Sequence, residues 1–276
     1  MAAPALAGLG LFVAAPFLLA VGLSFTDLRL GSPLPVSWVG FEQYMRVLSS
    51  TTFRHAFLNN LYFTAVVVPL QTGLALAAAL LLDRGLRGTA AARVALLLPI
   101  VFPMALIAVV WELLYAPGPD GPLNALLGAL TFGAWVPRDF LRDPALAMPA
   151  IIGLSIWQGM GFQMVILSAG LQAIPRQLHD AAALDGASAL HRFRHVTLPG
   201  LRRPLILVAV ITAILSFRLF DQIRILTRGG PQERTTTVMY EAVTAAFDRQ
   251  QVALSAAMSV VFFLVVLFIS LTGRRR

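Results

Sequence analysis

The chain has 276 residues, 58% of them hydrophobic and only 12% charged, against about 25% charged residues in a soluble domain. Its net charge of +8 is carried by arginine without any lysine, and it has no cysteine. That excludes a disulfide scaffold, a thiol nucleophile and a thiolate metal site, and the scattered arginines do not form the continuous basic face of a nucleic-acid binder. A membrane protein is the class that remains.

In chain order, six stretches approach the ~20 apolar residues that cross a bilayer: about Ala5–Phe25, Phe57–Leu82, Val94–Tyr115, Leu146–Leu171, Leu205–Leu226 and Val252–Leu271. Backbone groups in lipid must pair within their own segment, so each is expected to be a helix. The expectation is one all-α membrane domain over residues 1–276 with six transmembrane helices. The first stretch also has a reading as a secretory signal peptide ending in "LLAVGLS". Its length and its arginine-free start favour a retained helix.

Orientation follows the arginines between spans. Arg84, Arg87 and Arg93 follow the second span; Arg176, Arg192, Arg194, Arg202 and Arg203 follow the fourth; Arg274, Arg275 and Arg276 end the chain. The opposite loops hold Arg29, Arg46, Arg54, Arg138, Arg142, Arg228, Arg234 and Arg249 spread over many more residues. The denser side is expected to be cytoplasmic, with both termini on it.

Polar groups inside spans are costly and therefore informative. Glu112, with Trp111 and Tyr115, sits near the outer end of span three and reads as an interface anchor. The segment from Ala116 to Pro144 reads as a short interfacial helix plus turns, either meeting a soluble protein or capping the membrane at headgroup level. In span four, Gln158 and Gln163 stand near Gly153, Gly159 and Gly161. They are candidates for lining a polar path, and the glycines equally suit close helix packing. In span five, Arg218, Asp221 and Arg224 recur at steps of three, which on one helix would bring Asp221 near both arginines. Two readings stay open for Arg218 and Asp221: a translocation-path or gate cluster, or a neutralised structural pair.

Between spans four and five lies the polar stretch "IPRQLHDAAALDGASALHRFRHVTLPGLRRP", residues 174–204. Pro175 suits the start of a helix, and the residues to Leu184 favour one. Asp185-Gly186 is a turn signal. Ser188 suits the cap of a second short helix running toward Val196, and Pro199 and Pro204 end it and start the next span. The result is a helix–turn–helix knuckle. His191 and His195 have a zinc-compatible i, i+4 spacing, but no third ligand is evident and arginines surround them, so a metal role is disfavoured. No Ser–His–Asp set or paired-carboxylate motif stands out.

This stretch resembles the EAA loop of binding-protein-dependent ABC importer permeases, whose pattern is E-A-A-x-x-D-G-A, then F, then an apolar-T-L-P ending. Ala181, Ala182, Asp185, Gly186, Ala187, Phe193, Thr197, Leu198 and Pro199 match. Asp180 stands where the pattern has Glu, keeping the carboxylate one methylene shorter. "LTRGGPQERTTTVMYEAVTAAF" and "WVGFEQYMRVLSSTTFRHAFLNNLYFT" are similar to segments of the sugar and glycerol-phosphate branch, so the resemblance spans nearly the whole chain. It implies the type I ABC importer permease fold with a cytoplasmic coupling helix, formed here by Asp180, Ala181, Ala182, Asp185, Gly186 and Ala187. It also implies a second homologous permease, two cytoplasmic ATPase subunits binding ATP and Mg, an extracytoplasmic solute-binding protein, and the inner membrane of a prokaryote.

Independently, a Walker A loop requires a lysine, and this chain has none. ATP energy must come from another chain, with no cofactor in this one. The expected activity is import of a sugar or related polar solute by alternating access, with a glycerol-phosphate or glycerophosphodiester as the alternative solute. An ion-gradient-driven carrier is the rival of another class, resting on Asp221 alone.

Overall fold

A computed structural model describes residues 3–83 and 88–273, with the side chains of residues 4–83 and 88–268. The orientation charges Arg84, Arg87 and Arg274 to Arg276 lie outside the described residues. The regular secondary structure of the described residues is helical apart from one antiparallel bridge between Thr26 and Trp38. The chain divides into two compact units, Met1–Asn60 with Gln232–Arg276, and Leu61–Pro231.

In the first unit, α1 (Ala3–Leu9), a π-helical turn (Gly10–Ala14) and α2 (Ala15–Leu23) form one apolar rod. A loop follows, and then α3 (Glu42–Ser49) and the start of α4 (Thr51–Leu82), which continues into the second unit through Pro69. A proline costs a membrane helix little where neighbouring groups satisfy the freed carbonyl.

In the second unit, α5 (Thr89–Leu97) and a 3-10 turn (Leu98–Val101) lead to α6 (Met104–Leu114). Span three was expected as one run, yet its halves meet at 104°. The cause is local: Pro99 and Pro103 remove donors and Phe102 is held extended before a proline. Then come α7 (Pro122–Leu130), α8 (Ala147–Gln172), α9 (Arg176–Leu184), α10 (Ala189–Arg192), a π-helical turn (Phe193–Thr197), α11 (Leu198–Gly200) and α12 (Arg202–Ser216). Span five also breaks: α12 ends at Ser216, and a π-helical turn covers Ile223–Thr227. Ala75, Ala79, Met164, Leu167 and Val208 form the core joining α4, α8 and α12.

The first unit is completed by α13 (Val238–Val243), a π-helical turn (Thr244–Asp248) and α14 (Val252–Gly273). Its core joins Val47, Phe53 and Ala56 to Val238, Ala242, Ala245, Ala257 and Met258. The alanines let α13 and α14 approach closely, as small residues do between membrane helices.

Three described helices are long and apolar enough to cross a bilayer unbroken: Pro4–Leu23, Thr51–Leu82 and Ala147–Gln172. Two bent pairs, Thr89–Val101 with Met104–Leu114 and Ala189–Gly200 with Arg202–Ser216, pass the same test jointly, and Val252–Phe268 is a shorter apolar helix.

Candidate functional site: a cavity with convergent polar groups and a pinned helical knuckle

Within the second unit a cavity of about 370 Å³ opens among α4, α6, α8 and the end of α12. Gln158, Arg218 and Asp221 all line it, with Gln71, Ser155 and Gln222 adding hydrogen-bonding groups to a largely apolar wall. Convergent polar groups in an apolar cleft are the usual design of a small-molecule site. Gln71 packs tightly there: a methyl group on Gly159 would lie 2.5 Å from its Nε2.

Gln163 is not part of that wall. It is 2% exposed, and its Nε2 donates to the hydroxyl of Thr212, tying α8 to α12. Gly161 serves packing as well, since a methyl there would overlap the carbonyl oxygen of Leu96 on α5. Arg218 and Asp221 do not share a helical face, because the helix stops at Ser216 before reaching either. Both are exposed, and among the described residues no ion pair joins them. The break turns them into the cavity together with Gln222.

The knuckle forms as its local signals dictate. Pro175 stands just before α9, and Ser188 Oγ accepts from the His191 N–H at 3.3 Å to cap α10. Gly186 adopts φ +77°. The N–H of Gly186 donates to Ala183 O at 3.1 Å and that of Ala187 to Ala182 O at 2.9 Å, the paired bonds of a Schellman cap with glycine at its left-handed position. Asp180, Ala181, Asp185 and Gly186 are exposed, and Ala182 and Ala187 half-buried. Leu184 and Leu190, on either side of the turn, are 90% and 75% exposed. The rings of His191 and His195 stack at 4.0 Å, and His195 Nδ1 lies 3.0 Å from the His191 carbonyl oxygen.

The base of the knuckle is pinned to α8. A methyl on Gly200 would meet Ile174 Cδ1 at 2.8 Å, and one on Gly170 would meet Pro204 Cγ at 2.8 Å and Leu201 Cδ2 at 3.0 Å. Thr197 and Leu201 are buried behind these contacts. Such close packing transmits displacement instead of absorbing it.

Comparison with known proteins decides the family. Residues 71–274 match the family described as binding-protein-dependent transport system inner membrane component. The chain belongs to this family. A relative from Pyrococcus horikoshii, described as a probable ABC transporter permease protein, is 32% identical over 268 residues, covering 97% of this chain and 91% of the relative. The trehalose/maltose transport system permease protein MalF of Thermococcus litoralis is 36% identical over 230 residues, covering 83% and 76%. The crystal structure of a bacterial ABC transporter involved in the import of the acidic polysaccharide alginate aligns with a TM-score of 0.80 at 20% identity, covering 99% of this chain and 93% of that one. The last likeness shows the importer permease fold.

Two organising residues of the permease escaped the sequence reading. Asn124 on α7, 2% exposed, donates from Nδ2 to Ala116 O (3.4 Å) and Arg138 O (2.9 Å), and its Oδ1 accepts from Trp135 Nε1 (2.9 Å) and Arg138 N (3.0 Å). It organises the segment between Ala116 and Pro144. Glu233 is the second. Its carboxylate accepts from Thr52 at 2.8 Å and faces His55 Nδ1 at 2.9 Å, while Asn59 Nδ2 donates to its carbonyl oxygen at 2.8 Å. "GGPQERTTT" flagged this loop by resemblance, but nothing marked Asn59 and His55 on α4 as its partners.

Proposed function

We propose that this inner membrane permease subunit imports a sugar or related polyhydroxylated solute, received from an extracytoplasmic binding protein, by alternating access driven by two separate ATPase subunits that hold ATP and Mg. A second, homologous permease completes the pathway. The family sets the chain among binding-protein-dependent transport components, and not among ion-gradient-driven carriers.

The observation that carries the coupling is the knuckle: an exposed Asp180 carboxylate and two outward leucines on a lever wedged against α8. Two leucines presented on either side of one turn, beside an exposed carboxylate, suit a docking contact, and a lever this rigid suits transmission. In this reading the knuckle and both termini are cytoplasmic. The cavity supports the solute class, since carboxamides and hydroxyls on an apolar wall suit a sugar's hydroxyls and ring faces. Arg218, unpaired with Asp221, keeps an anionic solute such as a glycerol-phosphate as the second reading.

The test is Gly186→Pro in the assembled complex. Proline reaches neither φ +77° nor the hydrogen bond to Ala183 O. Complex yield should hold while stimulation of ATP hydrolysis by loaded binding protein is lost; wild-type stimulation would overturn the reading.

A further inference from the structure

Helix α7 ends in the same hydrogen-bond pattern as α9. The N–H of Phe132 donates to Ala129 O at 3.2 Å, and that of Gly133 to Gly128 O at 2.8 Å. At α9 the left-handed position of this cap is filled by Gly186; at α7 it is filled by Phe132, at φ +53°. A bulky side chain is disfavoured in that conformation, and glycine is the ordinary occupant. Yet Phe132 is 99% exposed, so its ring gains almost nothing from the other described residues. A strained backbone presenting an unburied aromatic ring implies an apolar medium outside the protein.

The surroundings identify that medium. Leu126, Leu130 and Val136 are exposed beside Phe132, at 55%, 66% and 68%. The stretch from Gly121 to Pro137 has no charged residue, and Arg138 and Asp139 follow at once. The opposite face of α7 is fixed inward by Asn124 and by Leu123 and Leu127, which pack against the cluster of Tyr115, Phe140 and Ala150. This cluster meets Trp111, which lies 5.2 Å from Tyr115 and 5.5 Å from Trp157 between ring centroids. An aromatic group at the end of an apolar helix marks headgroup level. On the adjoining α6, Leu106, Val109, Val110 and Leu113 are also exposed, so the outward apolar surface of α7 continues that of a membrane helix.

We propose that α7 and its Phe132 cap lie in the bilayer interface as a lipid anchor, with the Phe132 ring and the leucines of this face inserted at the headgroup–acyl boundary. Attachment to the interface scales with the apolar area inserted, and the outward face of α7 and the segment after it present Leu126, Leu130, Phe132 and Val136. The core of a protein interface can be equally apolar, so continuity identifies the occupant: the exposed face of α7 runs on from that of α6, which belongs to a membrane-crossing segment.

The chain has no cysteine, so Phe132→Cys and Asp120→Cys each give one labelling site in this subunit. Both positions are exposed, so the substitutions remove no internal contact. A nitroxide is attached at each before assembly, and the complex is placed in phosphatidylglycerol–phosphatidylethanolamine nanodiscs. Collision with oxygen, which concentrates in lipid, is compared with collision with a water-soluble nickel chelate. The expected result is an oxygen-dominated ratio at 132 and a nickel-dominated one at 120, unchanged by binding protein. Nickel-dominated collision at 132 would overturn the proposal. So would exclusion of both reagents at 132, or protection seen only with binding protein present, which would make the face a protein-docking site.

Discussion

Asn59 on α4 donates from one amide nitrogen to two carbonyl oxygens across the unit, Glu233 O at 2.8 Å and Thr236 O at 2.9 Å. Gln232 and Glu233 are both left-handed, at φ +51° and +60°, a conformation that costs roughly 1 kcal/mol or more for a non-glycine residue. The Asn59 amide and the contacts of Thr52 and His55 with the Glu233 side chain hold that geometry before the last membrane helix.

The Glu233 clasp should be pH-dependent. The hydrogen bonds from His55 and then Thr52 hold its carboxyl below the usual carboxylate range. A depressed folded-state pKa contributes stability above the group's ordinary value near 4.5, and that contribution is lost as pH falls through the depressed value. Both partners are nearly half exposed, so the effect is small, under about 1 kcal/mol. Glu233→Gln should lower the apparent unfolding midpoint of the purified permease slightly at pH 7. The gap to wild type should close in strong acid. A gap that persists unchanged there would mean the carboxylate charge is not what holds the loop.

Two glycines on helices should respond oppositely to alanine. On Gly161 a methyl collides with the backbone of Leu96, which a side-chain rotation cannot relieve, so Gly161→Ala should cost about 1–3 kcal/mol through displacement of α5. Gly128 has nothing within 4 Å of the added methyl, so Gly128→Ala should be neutral or stabilise by up to about 1 kcal/mol through helix propensity. Thermal inactivation of the two variants in the same detergent compares them directly.

The parts readable from sequence were those with local chemistry. Pro175, Asp185-Gly186 and Ser188 each act within a few residues, and the knuckle forms where they stand. Apolar length located apolar helices but not their continuity: six spans were expected, and among the described residues three helices are long enough to cross a bilayer unbroken, or five if each bent pair is one span. Span three bends where Phe102-Pro103 interrupts it, and span five stops after Ser216 with no proline to announce it. That second break separates Arg218 and Asp221 from the common face that their spacing implied. Gln163 and Thr212, like Asn59 and Glu233, meet across long sequence separations, and only tertiary packing pairs them. Phe132 could not be singled out, because a glycine one position later, Gly133, carries the turn signal.

Leu184 and Leu190 should act on partners and not on this subunit's own fold. At 90% and 75% exposure they contribute little to the core. Leu184→Ser with Leu190→Ser should leave the yield and stability of the isolated permease at wild type, within about 0.5 kcal/mol as for other surface changes. Recovery of ATPase subunits in a pull-down on the permease should fall severalfold. Undiminished recovery would place the docking energy elsewhere on the knuckle.

Arg218 and Asp221 line one cavity, are both exposed, and are not joined to each other among the described residues. A buried, bonded pair would leave a stranded charge when one member is removed, at about 3–5 kcal/mol. Here neither loss strands a partner. Asp221→Asn and Arg218→Gln should each assemble at wild-type yield, and their stability effects should add within about 0.5 kcal/mol in a double-mutant cycle. Uptake is where they should differ. If the solute is neutral, both variants change its transport modestly, through lost hydrogen bonds of about 1 kcal/mol each. If it is anionic, Arg218→Gln should abolish uptake while Asp221→Asn preserves or raises it, because the two side chains then act with opposite sign on the same charge. Uptake of a neutral disaccharide and of a glycerophosphodiester by both variants separates the cases. A large coupling energy in the stability cycle would instead restore the paired arrangement that the helix break removes.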